Sequence, residues 1–391
     1  MKIAQMLERE DFYKILRSTL ERYFEQFRGV AVKIELCSSI FKGQLLVYPH
    51  INAIVTRLPS REVRKYILTQ FSVRGNFVKR IAAKLYVFAC LHSFGLLASK
   101  SVTLSDKSCV KSSILLWPCN RKIRIFRFDD GLVDSILKTG ITNRYMRTET
   151  EFRAKNNNFT FIPAITGRGN DWYIEKIMEG SPLARITRQN EYDNYEAVAL
   201  RLLQELAEKS LTLLPAADYA ASLKKSVDAV TDLLKGKLNE SILTQTISIA
   251  ESYLTILKNN GDQIPLALSH GDFQAGNIWV DSEGKVTLID WETVGVRSVW
   301  YDRALLTLNM RRPDRIARLP EIDDEALFTV TGGFKAKKWT VLSVILLEEL
   351  LFFLDETATF PKTFSSSVLE ALLVNLETVL LKYHEKAEMP L

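Results

Sequence analysis

Apolar residues recur at helical spacing through the second half of the chain, at 197–214, 219–234, 241–258, 339–354 and 366–383, with prolines and glycines between these segments. Upstream, the apolar pattern is more strand-like. Residues 113–126 read as two strands joined by a tight turn, 132–137 as a third strand, 145–155 as a helix, and 171–178 as a strand ending near Gly180. Further along, 277–280 and 285–289 read as a hairpin around the turn Asp281-Ser282-Glu283-Gly284. The pattern predicts an α+β chain whose β-rich part precedes a helical part. The run 341–354 is too short to cross a bilayer and carries Glu348 and Glu349 at its centre, so it predicts a buried helix.

Length and composition leave room for two or three packed units: the chain has 391 residues, 47% hydrophobic and 25% charged, without low-complexity segments or repeats. Four cysteines, Cys37, Cys90, Cys109 and Cys119, show no CxxC spacing and stand apart from the four histidines, which argues against a zinc site or a disulfide framework and for a reducing, cytoplasmic setting. Residues 1–27 carry both charge signs from Glu8 onward and do not read as a signal peptide. The charge is uneven. The first hundred residues hold 17 Lys and Arg against 7 Asp and Glu, more than the whole chain's net charge of +6. Arg61, Arg64, Lys65, Arg74, Lys79, Arg80 and Lys84 concentrate it in a helix-like stretch where Phe77, Ile81, Leu85 and Phe88 make an apolar stripe. Such a segment caps a neighbouring unit with its basic face in water, or meets an anionic membrane surface through 61–84 or another anionic partner. No nucleic-acid motif accompanies the charge, so nucleic acid is the least favoured partner.

The chemistry concentrates in Ser269-His270-Gly271-Asp272-Phe273-Gln274-Ala275-Gly276-Asn277-Ile278, followed by Leu288-Ile289-Asp290-Trp291-Glu292. Asp272 and Asn277 stand five positions apart, and Asp290 follows thirteen positions after Asn277. The protein-kinase signature keeps the same interval between its catalytic Asp and metal-binding Asn, with a second metal-binding Asp later. Phosphoryl transfer needs an oriented acceptor oxygen, a carboxylate to take its proton, and metal on the nucleotide phosphates. A hairpin over 277–289 would fold Asp290 back beside Asn277, giving two hard oxygen ligands for magnesium.

Through HGDFQAGN and LIDWE the sequence resembles the aminoglycoside phosphotransferase and choline kinase family of the protein-kinase-like fold. The resemblance implies a bilobal enzyme, with a small nucleotide-binding lobe over 106–180 and a helical catalytic lobe over 181–391, and it leaves 1–105 as a basic, mainly helical N-terminal extension outside that core. It implies ATP or GTP with Mg2+ as cofactors, a small-molecule hydroxyl as acceptor, Asp272 as catalytic base, Asn277 and Asp290 as metal ligands, and His270 and Asp302 as supports of the loop. His-Gly-Asp in place of the protein-kinase His-Arg-Asp points to a small acceptor such as a sugar, glycan precursor or amino alcohol. Backbone groups of Glu175, Lys176 and Ile177 are expected to meet the nucleotide base at a hinge, and Gly180 to open the helical lobe. For the phosphate-pairing lysine the choice is Lys138, at the end of the 132–137 strand, with Glu149 as its partner because Glu149 and Arg153 share a helical face. Lys122 and Arg127, on an earlier strand of similar character, leave that register open. The 118–122 turn holds no glycine, a departure from the phosphate-covering loop of protein kinases, and Arg303 stands where the family usually has Leu. The rival class is a catalytically silent module that uses the same site to bind nucleotide or a partner.

Overall fold

The computed structural model describes residues 2–70, 77–359 and 366–388, so Arg74 lies outside the described residues. The chain divides into two compact units, Met1–Tyr195 with Trp279–Glu292, and Glu196–Ile278 with Thr293–Leu391.

The first unit is built on strands β1 (Ile34–Cys37), β2 (Leu45–Tyr48), β3 (Ala53–Thr56), β4 (Lys100–Leu104), β5 (Ile114–Pro118), β6 (Lys122–Arg127), β7 (Leu132–Leu137), β8 (Ile165–Arg168) and β9 (Trp172–Lys176). They form one antiparallel sheet in the order β1-β4-β2-β3-β5-β6-β7-β9-β8. Helices α1 (Ile3–Arg9) and α2 (Phe12–Arg22) cover one face, where Ile3, Met6, Phe12, Leu16 and Leu20 pack on Leu45, Val47, Ile54, Leu116 and Ile125. Helices α3 (Arg61–Gln70) and α4 (Phe77–His92) cover the other, where Val63, Ile67, Val87 and Leu91 meet Leu46, Val55, Leu115 and Phe126. Helix α5 (Arg144–Lys155) follows β7.

The expected helical extension is therefore not a separate cap. Residues 34–104 contribute four of the nine strands, and the sheet runs through the expected boundary at 105, because Ile54 and Val55 of β3 pair with Leu116 and Leu115 of β5. The reason is physical: β2 is buried along its whole length on both faces, so Leu45-Leu46-Val47-Tyr48 shows no alternation to mark it as a strand.

Then come β10 (Ser181–Pro182), α6 (Gln189–Glu208), β11 (Thr212–Pro215), α7 (Ala216–Leu234), α8 (Glu240–Lys258), β12 (Gln263–Ser269), β13 (Ile278–Val280), β14 (Val286–Leu288) and β15 (Gly295–Ser298). Strands β10, β13 and β14 make one small sheet, and β11, β12 and β15 another. Gly180, with φ +97°, precedes β10; a Cβ there would lie 2.2 Å from the Val280 carbonyl oxygen, so only glycine allows β10 to approach β13.

Helices α9 (Val299–Thr307), α10 (Pro313–Ile316), α11 (Asp324–Thr331), α12 (Lys338–Thr359) and α13 (Ser366–Glu388) complete the second unit. Its core centres on α12, whose residues Val341, Leu342, Val344, Ile345, Leu346, Leu347 and Leu350 are all buried against α7, α8 and α9. None of the described helices is long and apolar enough to cross a membrane.

Glu348 is buried in that core and accepts hydrogen bonds from the Ser298 N–H at 2.7 Å, the Ser298 hydroxyl at 2.6 Å and the Tyr219 hydroxyl at 2.6 Å. Burial outweighs these donors and pushes its pKa up to about 7. Between the ordinary carboxylate value and pH 7 the folded protein thus holds a proton that the unfolded chain releases, so this group's contribution to stability falls as pH rises through that window and is level above it. Relative to a Glu348→Gln variant, the wild type is expected to lose on the order of 3 kcal/mol between pH 4 and 8. Urea unfolding of both proteins across that range checks it, and parallel profiles would contradict it.

Candidate active site

In the second unit, β12 ends at Ser269 and the chain turns into the 270–277 loop. The loop is hung on Asp302, buried in the first turn of α9. One carboxylate oxygen accepts the His270 N–H at 2.6 Å and the other the Gly271 N–H at 2.9 Å. These charge-assisted bonds fix the backbone just ahead of Asp272. Gly271 has φ +79° and its missing Cβ would sit 2.4 Å from the Thr293 carbonyl oxygen, so no other residue fits between His270 and Asp272. His270 is fully buried and its Nδ1 accepts the Asp272 N–H at 3.3 Å.

The Asp272 carboxylate stays partly exposed and faces three donors: the Gln274 side-chain amide, Asn277 Nδ2 at 2.9 Å and Arg311 Nε at 3.3 Å. Because Asn277 turns its NH2 toward Asp272, its Oδ1 is the atom left for a cation. Arg311 was not anticipated. It lies 39 residues beyond Asp272, stacks at 3.3 Å over Phe352, donates to the Gly271 carbonyl at 2.8 Å and pairs with buried Glu349 at 2.9 Å. The available signal was the loop itself: His-Gly-Asp lacks the arginine of His-Arg-Asp, so a cation beside the carboxylate has to come from elsewhere in the chain.

In the first unit a second cluster forms around Lys122. Its buried Nζ is 2.8 Å from Glu149, 3.0 Å from Asp290 and 3.4 Å from Glu292, and 3.3 Å from the Tyr173 hydroxyl. Arg121 pairs with Glu292, and Arg153 bridges Glu149 at 3.1 Å and Glu175 at 2.6 Å. Burial by itself would raise the pKa of Asp290, but Lys122, Arg124 and Arg121 hold it well below the usual carboxylate range. Glu292 goes the other way, burial pushing it up despite Arg121. Asp290 has φ +67°, a left-handed conformation that Asp tolerates better than most residues. Oxygen atoms of Glu149, Asp290 and Glu292 all lie within 4.8 Å of one another, with the Lys122 ammonium standing among them.

Lys138 does not join this cluster. Lys122 pairs across the sheet with Leu137, so the two side chains share a face, and Leu137 packs there with Met146 of α5 and with Tyr173. Lys138 is one residue further and falls on the opposite face. There its ammonium meets Glu10 at 2.5 Å, with Met6 and Phe12 beside it, and burial lowers its pKa. Glu149 is thus the helix carboxylate of a lysine pair, but its lysine is Lys122; Glu151 is exposed on Arg147.

The expected hinge residues sit inside the sheet ladder rather than beyond it. Glu175 pairs with Val133 and Lys176 with Leu132, and the Ile177 N–H donates to the Gly131 carbonyl at 2.8 Å. Glu175 presents a buried side chain to Arg153. The Ile177 N–H is thus taken up by the Gly131 carbonyl.

Residues 162–333 match the model of the phosphotransferase enzyme family. The match covers 172 of the 391 residues, and it is to this segment that the likeness applies. It contains the whole 270–277 loop, Asp290 and Asp302, and it leaves Lys122 and Glu149 upstream. The order of elements, an antiparallel sheet with α5 followed by a helical unit that carries the phosphotransferase loop, is that of the protein-kinase-like fold. A search of curated proteins gave no match. Among solved structures, the Plasmodium vivax ethanolamine kinase is 14% identical with TM-score 0.47, covering 82% of this chain and 94% of its own. The choline kinase from Cryptosporidium parvum Iowa II is 11% identical with TM-score 0.45, covering 71% and 93%. The ADP-bound aminoglycoside phosphotransferase APH(2'')-Ib is 14% identical with TM-score 0.41, covering 67% and 90%.

Proposed function

We propose that the protein transfers the γ-phosphoryl group of ATP, or of another nucleoside triphosphate such as GTP, to a hydroxyl of a small molecule, with a sugar, glycan precursor or amino alcohol as the acceptor class. The observation that carries this reading is Asp272, partly exposed, on a family-matched loop whose backbone is fixed by Asp302. In the proposed step the acceptor O–H proton passes to the Asp272 carboxylate, the acceptor oxygen forms its bond to the γ-phosphorus, and the bond from that phosphorus to the bridging oxygen breaks, releasing the nucleoside diphosphate. Arg311 and Asn277 hold the carboxylate in place for this, and Lys122, kept by Glu149, is the residue for the nucleotide phosphates. Asn277 and Asp290, with Glu292 near Asp290, are the residues for Mg2+, whose chemistry when bound is to neutralise charge on the phosphates.

A panel of amino alcohols, sugars and aminoglycosides incubated with ATP or GTP and Mg2+, read as release of nucleoside diphosphate, tests the reading. At least one acceptor is expected to raise release well above the acceptor-free rate. Tight nucleotide binding with no acceptor-stimulated release across the panel would favour the catalytically silent module.

A further inference from the structure

Helix α4 is packed by very little of its length. Of its sixteen residues, Val87, Cys90 and Leu91 are buried against α3 and the sheet, whereas every residue from 78 to 86 except Ala83 is exposed. The exposed part is not polar. Val78 (70% exposed), Ile81 (41%), Leu85 (62%) and Phe88 (54%) fall at intervals of three, four and three, one continuous stripe along the helix. Lys79, Arg80 and Lys84 flank the stripe, and the helix contains neither Asp nor Glu. Alongside runs a groove of about 570 Å³ lined by Arg61, Arg64, Lys65 and Lys84, with Phe88 and His92 at its side. Arg185 reaches the groove from the segment after β10 and is fastened to the Thr69 carbonyl at 2.9 Å. The phosphotransferase reading uses none of these residues.

We propose that this face docks on an anionic lipid surface, with the α4 stripe entering the boundary between headgroups and acyl chains and the cations of α3 and α4 meeting lipid phosphates. The side-chain mixture selects this occupant. Contiguous apolar side chains left in water are uncommon on monomeric proteins and mark a contact surface. A second copy of the chain docking through the same face would bring the basic groove onto itself. A nucleic acid would use the cations but leave aliphatic Val78, Ile81 and Leu85, which cannot stack on bases, in water. A lipid interface satisfies both halves of the face, and long basic side chains reach from an apolar boundary to phosphate.

Sedimentation of the full chain with phosphatidylcholine vesicles, with and without phosphatidylglycerol, tests the proposal. Binding is expected only with phosphatidylglycerol, and it should fade as salt shortens the screening length from about 10 Å at 0.1 M to about 3 Å at 1 M. Each basic residue near the surface contributes roughly fivefold in affinity, so the triple substitution Arg64→Glu, Lys65→Glu and Lys84→Glu should lower binding about a hundredfold or more. The double substitution Ile81→Ser and Leu85→Ser should lower it at least about tenfold while leaving the charge unchanged. The substituted positions are exposed or half-buried, so unchanged circular dichroism and thermal unfolding should accompany both losses. A wild-type protein that ignores phosphatidylglycerol vesicles at low salt overturns the proposal. So does a dimer in gel filtration that the Ile81/Leu85 variant splits, or RNA binding that survives that variant without any vesicle binding. None of these readouts depends on phosphoryl transfer, so failure here and failure of the proposed function are separable.

Discussion

Replacing Asp272 by Asn is expected to lower turnover by about a hundredfold to ten-thousandfold, the usual range for a positioned general base, with folding and nucleotide binding nearly intact. Among the described residues the carboxylate meets the donors Gln274, Asn277 and Arg311, and the amide keeps the size of the side chain while removing its capacity to take a proton. Circular dichroism, nucleotide titration and single-turnover rates together check it, and wild-type turnover would remove Asp272 from the role. Arg311 gives a companion test. Arg311→Met should lower both turnover and stability, because buried Glu349 loses its cation and is left with the Tyr301 hydroxyl among the described residues, and stranding one member of a buried ion pair costs about 3–5 kcal/mol. Adding Glu349→Gln should restore much of the stability without restoring turnover. Recovery of both would make Arg311 purely structural.

The second large effect separates two lysines. Lys122→Met leaves Glu149, Asp290 and Glu292 facing one another without the ammonium that now stands among them. A loss of about 3–5 kcal/mol in stability is expected, together with weakened nucleotide binding and turnover near background. Lys138→Met replaces an ammonium that lies beside Met6 and Phe12 and pairs with Glu10. It should leave turnover close to wild type. Equilibrium titration with ATP and Mg2+, run beside denaturant unfolding, distinguishes the two, and the reverse ranking would return the phosphate-side role to Lys138.

These lysines also show where the sequence stops being legible. Asp272, Asn277 and Asp290 are legible from short-range spacing, His270 and Asp302 through the family resemblance, and the helices of the second unit from long runs with one period. Choosing between Lys122 and Lys138 needed cross-strand register, which is set by which residue of β6 stands opposite Leu137 and not by anything within β7. The strands of residues 34–104 were hidden for a different reason. They are four or five residues long, and β2 is apolar on both faces, so charge in the neighbouring helices dominated the reading. Arg311 carries no motif, since its contacts with Asp272 and Glu349 arise only when the 308–312 segment and α12 pack beside the loop. That Glu175 and Lys176 stand opposite Val133 and Leu132 depends likewise on register across the sheet.

The first unit is discontinuous: Trp279–Glu292 returns to it after α6, β11, α7, α8 and β12 have been made. On a ribosome, Lys122 can meet Glu149 after 27 residues, but Asp290 arrives only 168 residues after Lys122. During that interval the nascent chain holds the sheet and one carboxylate partner, while the returning hairpin is still unsynthesised. Completion of the first unit is thus tied to translation of the 270–277 loop and of the helices before it. A chain that stops before residue 278 lacks the β13–β14 hairpin as well as Asp290, and one that stops at 289 has the hairpin without Asp290, so in either case the first unit stays incomplete.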